Sequence, residues 1–144
     1  MALPISGIEF ADMPGVHALT DVTGFGLAGH LLELCRGARL RAHIAWPEIP
    51  FIAQALDHVK AGVFTGASTR NWAGYGKEIE LPPGMKKWQE QLLTDPQTSG
   101  GLLVACSPDA ESFVLEVFAS HGFRDARTIG EFTAGSPGVS VSLT

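Results

Sequence analysis

Apolar and polar positions along the chain follow two periods, and the places where one gives way to the other predict its elements. Residues 17–22 (HALTDV) read as a short strand that enters a glycine-rich turn at Gly24–Gly26. A helical pattern follows over about 25–37. Leu27, Leu31 and Leu34 recur at steps of four and three with Cys35 beside them, while Glu33 and Arg36 point away. Gly37 is placed as the C-terminal stop of that helix. Residues 40–46 alternate as a strand, closed by Pro47 and Pro50, and a second helix is expected over about 51–60. Residues 62–81 have no sustained period and carry four glycines, so they read as a long loop that Trp72 and Tyr75 keep ordered.

A short helix over 85–93 is ended by Asp95-Pro96, and a turn over 97–101 feeds a strand over 102–106. Residues 108–121 form an amphipathic helix with Phe113, Val117 and Phe118 on one side and Pro108 near its first turn. Residues 126–132 and 139–143 are expected to be two antiparallel strands joined through Gly135–Gly138. The order β-α-β-α-loop-α-β-α-β-β predicts an α+β fold with helices covering a mixed β-sheet. No internal repeat, low-complexity tract or linker divides the 144 residues, which are expected to form a single domain over 1–144.

Composition narrows the function classes. Hydrophobic residues make up 45% of the chain and the mean hydropathy is +0.16, enough apolar material for a core. A net charge of -5 supplies no basic field for nucleic acid or an anionic membrane, so neither is expected as a partner. Apolar runs fall short of the roughly 20 residues of a membrane span. Cys35 and Cys106 lack CxxC spacing and indicate a reducing, cytoplasmic setting rather than a disulfide scaffold.

Three segments could carry chemistry. In DVTGFGLAGH (21–30), Gly24, Gly26 and Gly29 match GxGxxG where a strand gives way to a helix, a geometry that brings a pyrophosphate to a helix N-terminus. Asp21 lies at the strand exit, where a carboxylate repels a bare phosphate but suits one bridged by Mg²⁺. The competing reading is that Asp21 and Thr23 cap the helix. In TDPQTSGG (94–101), Gln97, Thr98 and Ser99 offer side-chain donors and Gly100-Gly101 free backbone N–H groups for an anion, or the segment is an ordinary polar turn. In TGASTRNWAGYG (65–76), Arg70 and Asn71 suit phosphate or ribose, and Trp72 and Tyr75 anchor the loop or stack on a base. The five histidines do not pair at zinc-ligand spacing. His30 reads as a hydrogen-bonded core histidine and Cys35 as a small core residue.

Taken in order, ALTDVTGFGLAGHLLELCRG, GASTRNWAGYG and LLTDPQTSGGLLVA resemble the C-terminal domain of the selenophosphate synthetase (selenide, water dikinase) family, over about 8–143. More distantly, this domain type resembles the one that closes the aminoimidazole ribonucleotide synthetase superfamily. The resemblance implies an enzyme that turns ATP, selenide and water into selenophosphate, AMP and orthophosphate. It also implies a homodimer in which Mg²⁺ bridges the triphosphate to several aspartates. One of those aspartates falls on Asp21. Thr23, Gly24, Gly26, Thr98, Ser99 and Gly100 are carried over as residues near the nucleotide. The family's catalytic Cys or selenocysteine, its partner Lys, a glycine-rich segment and the other aspartates belong to an N-terminal half that these residues do not include. Neither Cys35 nor Cys106 matches the catalytic cysteine's motif. Met1–Ser6 is read as a junction at a domain boundary, the chain as an excised domain, and the isolated chain is expected to be inactive and to bind ATP feebly. The alternative is a free-standing nucleotide- or protein-binding module of the same fold. A nicotinamide-dependent domain built on GFGLAG is disfavoured, because repeated βαβ units and a well-placed ribose acid are missing.

Overall fold

The computed structural model describes residue 7 and residues 9–144. Met1–Ser6, the expected junction, and Ile8, where the family resemblance begins, lie outside the described residues. The elements run β1 (Val16–Asp21), α1 (Gly26–Ala38), β2 (Leu40–Ala45), α2 (Ala53–Lys60), α3 (Gly66–Tyr75), β3 (Ile79–Glu80), α4 (Lys87–Thr94), β4 (Leu102–Cys106), α5 (Glu111–Ser120), β5 (Gly130–Ala134) and β6 (Gly138–Ser142). The fold is α+β, as the periodicities predict.

The strands form two sheets. A four-stranded mixed sheet has the order β3-β6-β2-β5, and an antiparallel ribbon pairs β1 with β4. Central β2 runs antiparallel to β5, from Leu40 opposite Ala134 to Ile44 opposite Gly130, and parallel to β6. The alternation in β2 sorts its two faces. Ala42 and Ile44 are buried with Val139 and Val141 of β6 under the apolar stripe of α1, which contributes Ala28, Leu31, Leu32 and Cys35. On the other face, Arg41 pairs with Glu80, and His43 Nε2 meets Thr133 Oγ1 at 2.9 Å. One face of the sheet is thus core and the other carries a polar ladder.

Four expectations are corrected. Residues 62–81 are not a long loop, because α3 occupies Gly66–Tyr75. Thr65 caps α3, its hydroxyl accepting from the Ser68 N–H. The two C-terminal strands run antiparallel to each other as expected, being antiparallel and parallel to β2, but β2 lies between them and the first begins only at Gly130. Gly37 does not end α1. The helix continues to Ala38, and Arg39 makes the reversal with φ 57°, its N–H bonded to the Cys35 carbonyl. In α5 the buried position is Val114, whereas Phe113 is 61% exposed. Phe118 does turn inward, its ring 5.0 Å from that of the buried Phe10.

Candidate functional site

Strand β1 delivers Asp21 to its C-terminal end, paired in register with Leu102 at the start of β4. The ladder continues past the strands. Val22 N–H donates to Gly101 O at 2.9 Å, and Gln97 N–H donates to Thr23 O at 2.9 Å. The first and second sequence segments therefore lie side by side, joined through their backbones. Gly100 sits where they are closest: a Cβ there would fall 1.8 Å from Val22 O, inside any permitted contact. The Asp21 carboxylate and the side chains of Thr98 and Ser99 are exposed beside this seam, and Gly24 is exposed at the tip of the neighbouring turn.

The turn between β1 and α1 is held from inside. Gly26 has φ +69°, and a Cβ on it would lie 2.6 Å from the Thr94 carbonyl carbon, so this glycine lets α1 seat against the end of α4. Gly26 N–H donates to Thr23 O at 3.1 Å, and Phe25 N–H donates to His30 Nε2 at 3.4 Å. Two donors at the α1 N-terminus are thereby committed to the protein itself. Thr23 does not cap the helix with its side chain, since its hydroxyl lies 3.1 Å from His30 Nε2. His30 is buried and hydrogen-bonded, in accord with its reading as a core histidine.

The third segment contributes α3, which acts as a staple across the other two. Asn71 Nδ2 donates to Gly24 O and to Thr94 O, both at 2.9 Å. Tyr75 OH donates to Phe25 O. Ser68, fully buried, donates to Gln91 O at 2.9 Å and meets Thr94 Oγ1 at 2.8 Å. Thr65 Oγ1 donates to Asp95 Oδ1 at 2.7 Å. Asn71 is therefore spent on backbone carbonyls rather than left for phosphate or ribose, while Arg70 is exposed. Tyr75 is an anchor, and burial pushes its phenol up to about 12. Ser68 and Thr94 were not singled out from sequence. Their signal is the spacing Ser68, Asn71, Tyr75, a helical stripe of hydrogen-bonding residues in place of apolar ones.

Among the described residues no group of three or more His, Cys, Asp or Glu side chains converges to hold a metal ion. Asp21 supplies one exposed carboxylate, which suits Mg²⁺ only when phosphate oxygens, waters and further carboxylates complete the shell. The thiols show no activation: burial pushes both Cys35 and Cys106 up, and Glu111 and Asp109 add to the effect at Cys106. No helix of the described residues is long and apolar enough to cross a membrane.

Fold and site together define an α+β domain that presents one exposed acid beside two interlocked polar turns. The chain belongs to the family described as AIR synthase related protein, C-terminal domain, whose pattern matches residues 6–142. It is 51% identical over 135 residues to a selenide, water dikinase of Dechloromonas aromatica (strain RCB), covering 94% of this chain and 39% of that protein. The identity is 55% over 136 residues to the selenide, water dikinase of Burkholderia cenocepacia, at 94% and 38% coverage. For the protein of the same name from Rhizobium meliloti (strain 1021) it is 46% over 135 residues, at 94% and 39% coverage. The chain thus spans under two fifths of the length of these relatives.

Proposed function

We propose that this chain is the C-terminal part of a selenide, water dikinase, an ATP-dependent phosphotransferase that makes selenophosphate from selenide, ATP and water and releases AMP and orthophosphate. The observation that carries the role of this part is the exposed Asp21 carboxylate at the end of β1, fixed beside the 97–101 turn by the Val22–Gly101 and Gln97–Thr23 hydrogen bonds. Those backbone bonds set where the Asp21 Cα lies, so its exposed carboxylate starts from a fixed point beside the turn. In this reading Asp21 is a ligand of Mg²⁺, and Thr98, Ser99 and Gly24 border the phosphates. Mg²⁺, when bound, neutralises triphosphate charge and orients the group to be transferred.

Gly26 and Gly100 act one step back, letting α1, α4 and the seam approach closely enough to set the Asp21 position. Thr23 acts there too, through its carbonyl. The remaining ligands and the reacting nucleophile come from the N-terminal half of the same enzyme, a cytoplasmic homodimer. The site is composite, and the isolated chain is inactive. The committed N–H groups at the α1 N-terminus weigh against a free-standing nucleotide site on the glycine turn.

Calorimetry of ATP with Mg²⁺ tests this, on the chain alone and mixed with the separately expressed N-terminal half. Binding only in the mixture, weakened about tenfold or more in Asp21→Ala, is expected for loss of one metal ligand. Asp21 is exposed, so the variant should melt within about 0.5 kcal/mol of the wild type. Binding by the chain alone, indifferent to Asp21, would overturn the composite site.

A further inference from the structure

His30 is the one buried imidazole behind the β1–α1 turn, and its hydrogen bonds determine its state. It is 8% exposed. A backbone N–H can only donate, so the Phe25 N–H at 3.4 Å makes Nε2 an acceptor. With that tautomer the Thr23 hydroxyl, 3.1 Å from the same nitrogen, donates to it as well, and the two donors share its single in-plane lone pair. The ring proton belongs on Nδ1, which lies 3.3 Å from Glu33 Oε2 one helical turn further along α1. One ring thus collects the donors on both sides of Gly24 and is itself oriented by a carboxylate on its own helix.

We propose that His30 is a positioning residue for the proposed metal–phosphate site: its Nδ1–H tautomer clamps Thr23 and Phe25, and through them holds the end of β1 that carries Asp21. The step from the clamp to Mg-ATP rests on the kinase reading above; the clamp itself does not. The coupling is short. Thr23, whose hydroxyl His30 holds, also accepts the Gln97 and Gly26 N–H groups through its carbonyl, so the seam to the 97–101 turn and the start of α1 share one residue. A space-filling aromatic at position 30 would occupy the volume and leave two donors without their acceptor.

The test has a wild-type arm and a variant arm. Long-range ¹⁵N–¹H correlation of the histidine rings should show the His30 ring proton on Nδ1 and Nε2 bare; a proton on Nε2 would overturn the clamp. In the variants, Gln can place an amide oxygen near the Nε2 position, whereas Leu keeps bulk without an acceptor. His30→Leu should speed exchange of the Phe25 amide about tenfold or more, and His30→Gln should restore most of the protection. In the complete enzyme, His30→Leu should raise KM for Mg-ATP or lower turnover about tenfold, with His30→Gln within about threefold of wild type. Exchange unchanged in His30→Leu removes the clamp; loosened exchange with unchanged kinetics removes its role at the site. A complete wild-type enzyme with no Mg-ATP turnover would sink the kinase reading and its consequence here, while the tautomer and exchange data would still decide the clamp.

Discussion

Asn71 offers the sharpest test of how the three segments are joined, because one side-chain amide spans two of them from the third. Its Nδ2 donates at 2.9 Å to Gly24 O and at 2.9 Å to Thr94 O. The two acceptors differ in what replaces the bond. Gly24 is exposed, so water takes over and the loss is small. Thr94 is 0% exposed, so its carbonyl loses a donor that water reaches poorly, at about 1–3 kcal/mol. Asn71→Ala should therefore cost about 2 kcal/mol. At the usual unfolding entropy per residue this lowers Tm by roughly 6–7 °C. Asn71→Asp is the more telling variant. It keeps the size but swaps the donor for an oxygen facing two carbonyl oxygens, so it should cost about 1–2 kcal/mol more than Ala. Thermal unfolding followed by circular dichroism at pH 7 reads both. Asn71→Ala within about 1 °C of wild type, or Asn71→Asp no less stable than Asn71→Ala, would refute the staple.

Three further outcomes follow from the same geometry. Gly100→Ala places a methyl 1.8 Å from Val22 O and should cost about 3 kcal/mol or more, because backbone cannot yield as a side-chain tip does. Gly101→Ala, with nothing within 4 Å, should stay within about 1 kcal/mol by urea unfolding. Tyr75 is the protein's only tyrosine, so absorbance at 295 nm titrates it alone. Its midpoint should lie near about 12, against the ordinary 10.0 in urea. The folded state keeps a proton that the unfolded state gives up, so this stabilisation is whole below pH 10.0 and fades as pH rises towards about 12. A folded-state midpoint at the ordinary value would refute the burial of the phenol against Phe25.

What the sequence made legible is what apolar periodicity encodes. The body of α1 could be read because its Leu residues recur at the helical period and meet the core, and β4 because LLVAC is a short unbroken apolar run between turn residues. Helix α3 could not, because its inward stripe is Ser68, Asn71 and Tyr75, which hydrogen-bond to Gln91, Gly24, Thr94 and Phe25. A hydrophobicity pattern scores such a stripe as loop, although geometrically it is as regular as the Leu stripe of α1. The order of β5 and β6 was hidden for another reason. Adjacent strands joined by a glycine turn resemble a hairpin, and only the distant β2 decides that they flank it instead.

The same distinction separates the glycines. GxGxxG and TSGG look alike as phosphate-ready turns, yet Gly26 and Gly100 are required by contacts with Thr94 and with Val22. Their absent side chains first admit another part of the same chain. A ligand would then meet the outside of that seam, where Asp21, Thr98 and Ser99 are exposed, and not the glycine backbone itself. This is why an acid at a strand end, a weak motif alone, becomes the informative residue once the two turns are seen to interlock. The packing that consumes the glycines also sets the backbone that carries Asp21, so the stability of the seam and the geometry of the proposed metal ligand should rise and fall together across Gly100 and Asn71 variants. On the kinase reading, graded losses of Mg-ATP affinity in the complete enzyme, in the same rank order as the losses of Tm in this chain, are the expected pattern. Full affinity in a variant whose seam has melted would show that Asp21 is placed by the N-terminal half instead.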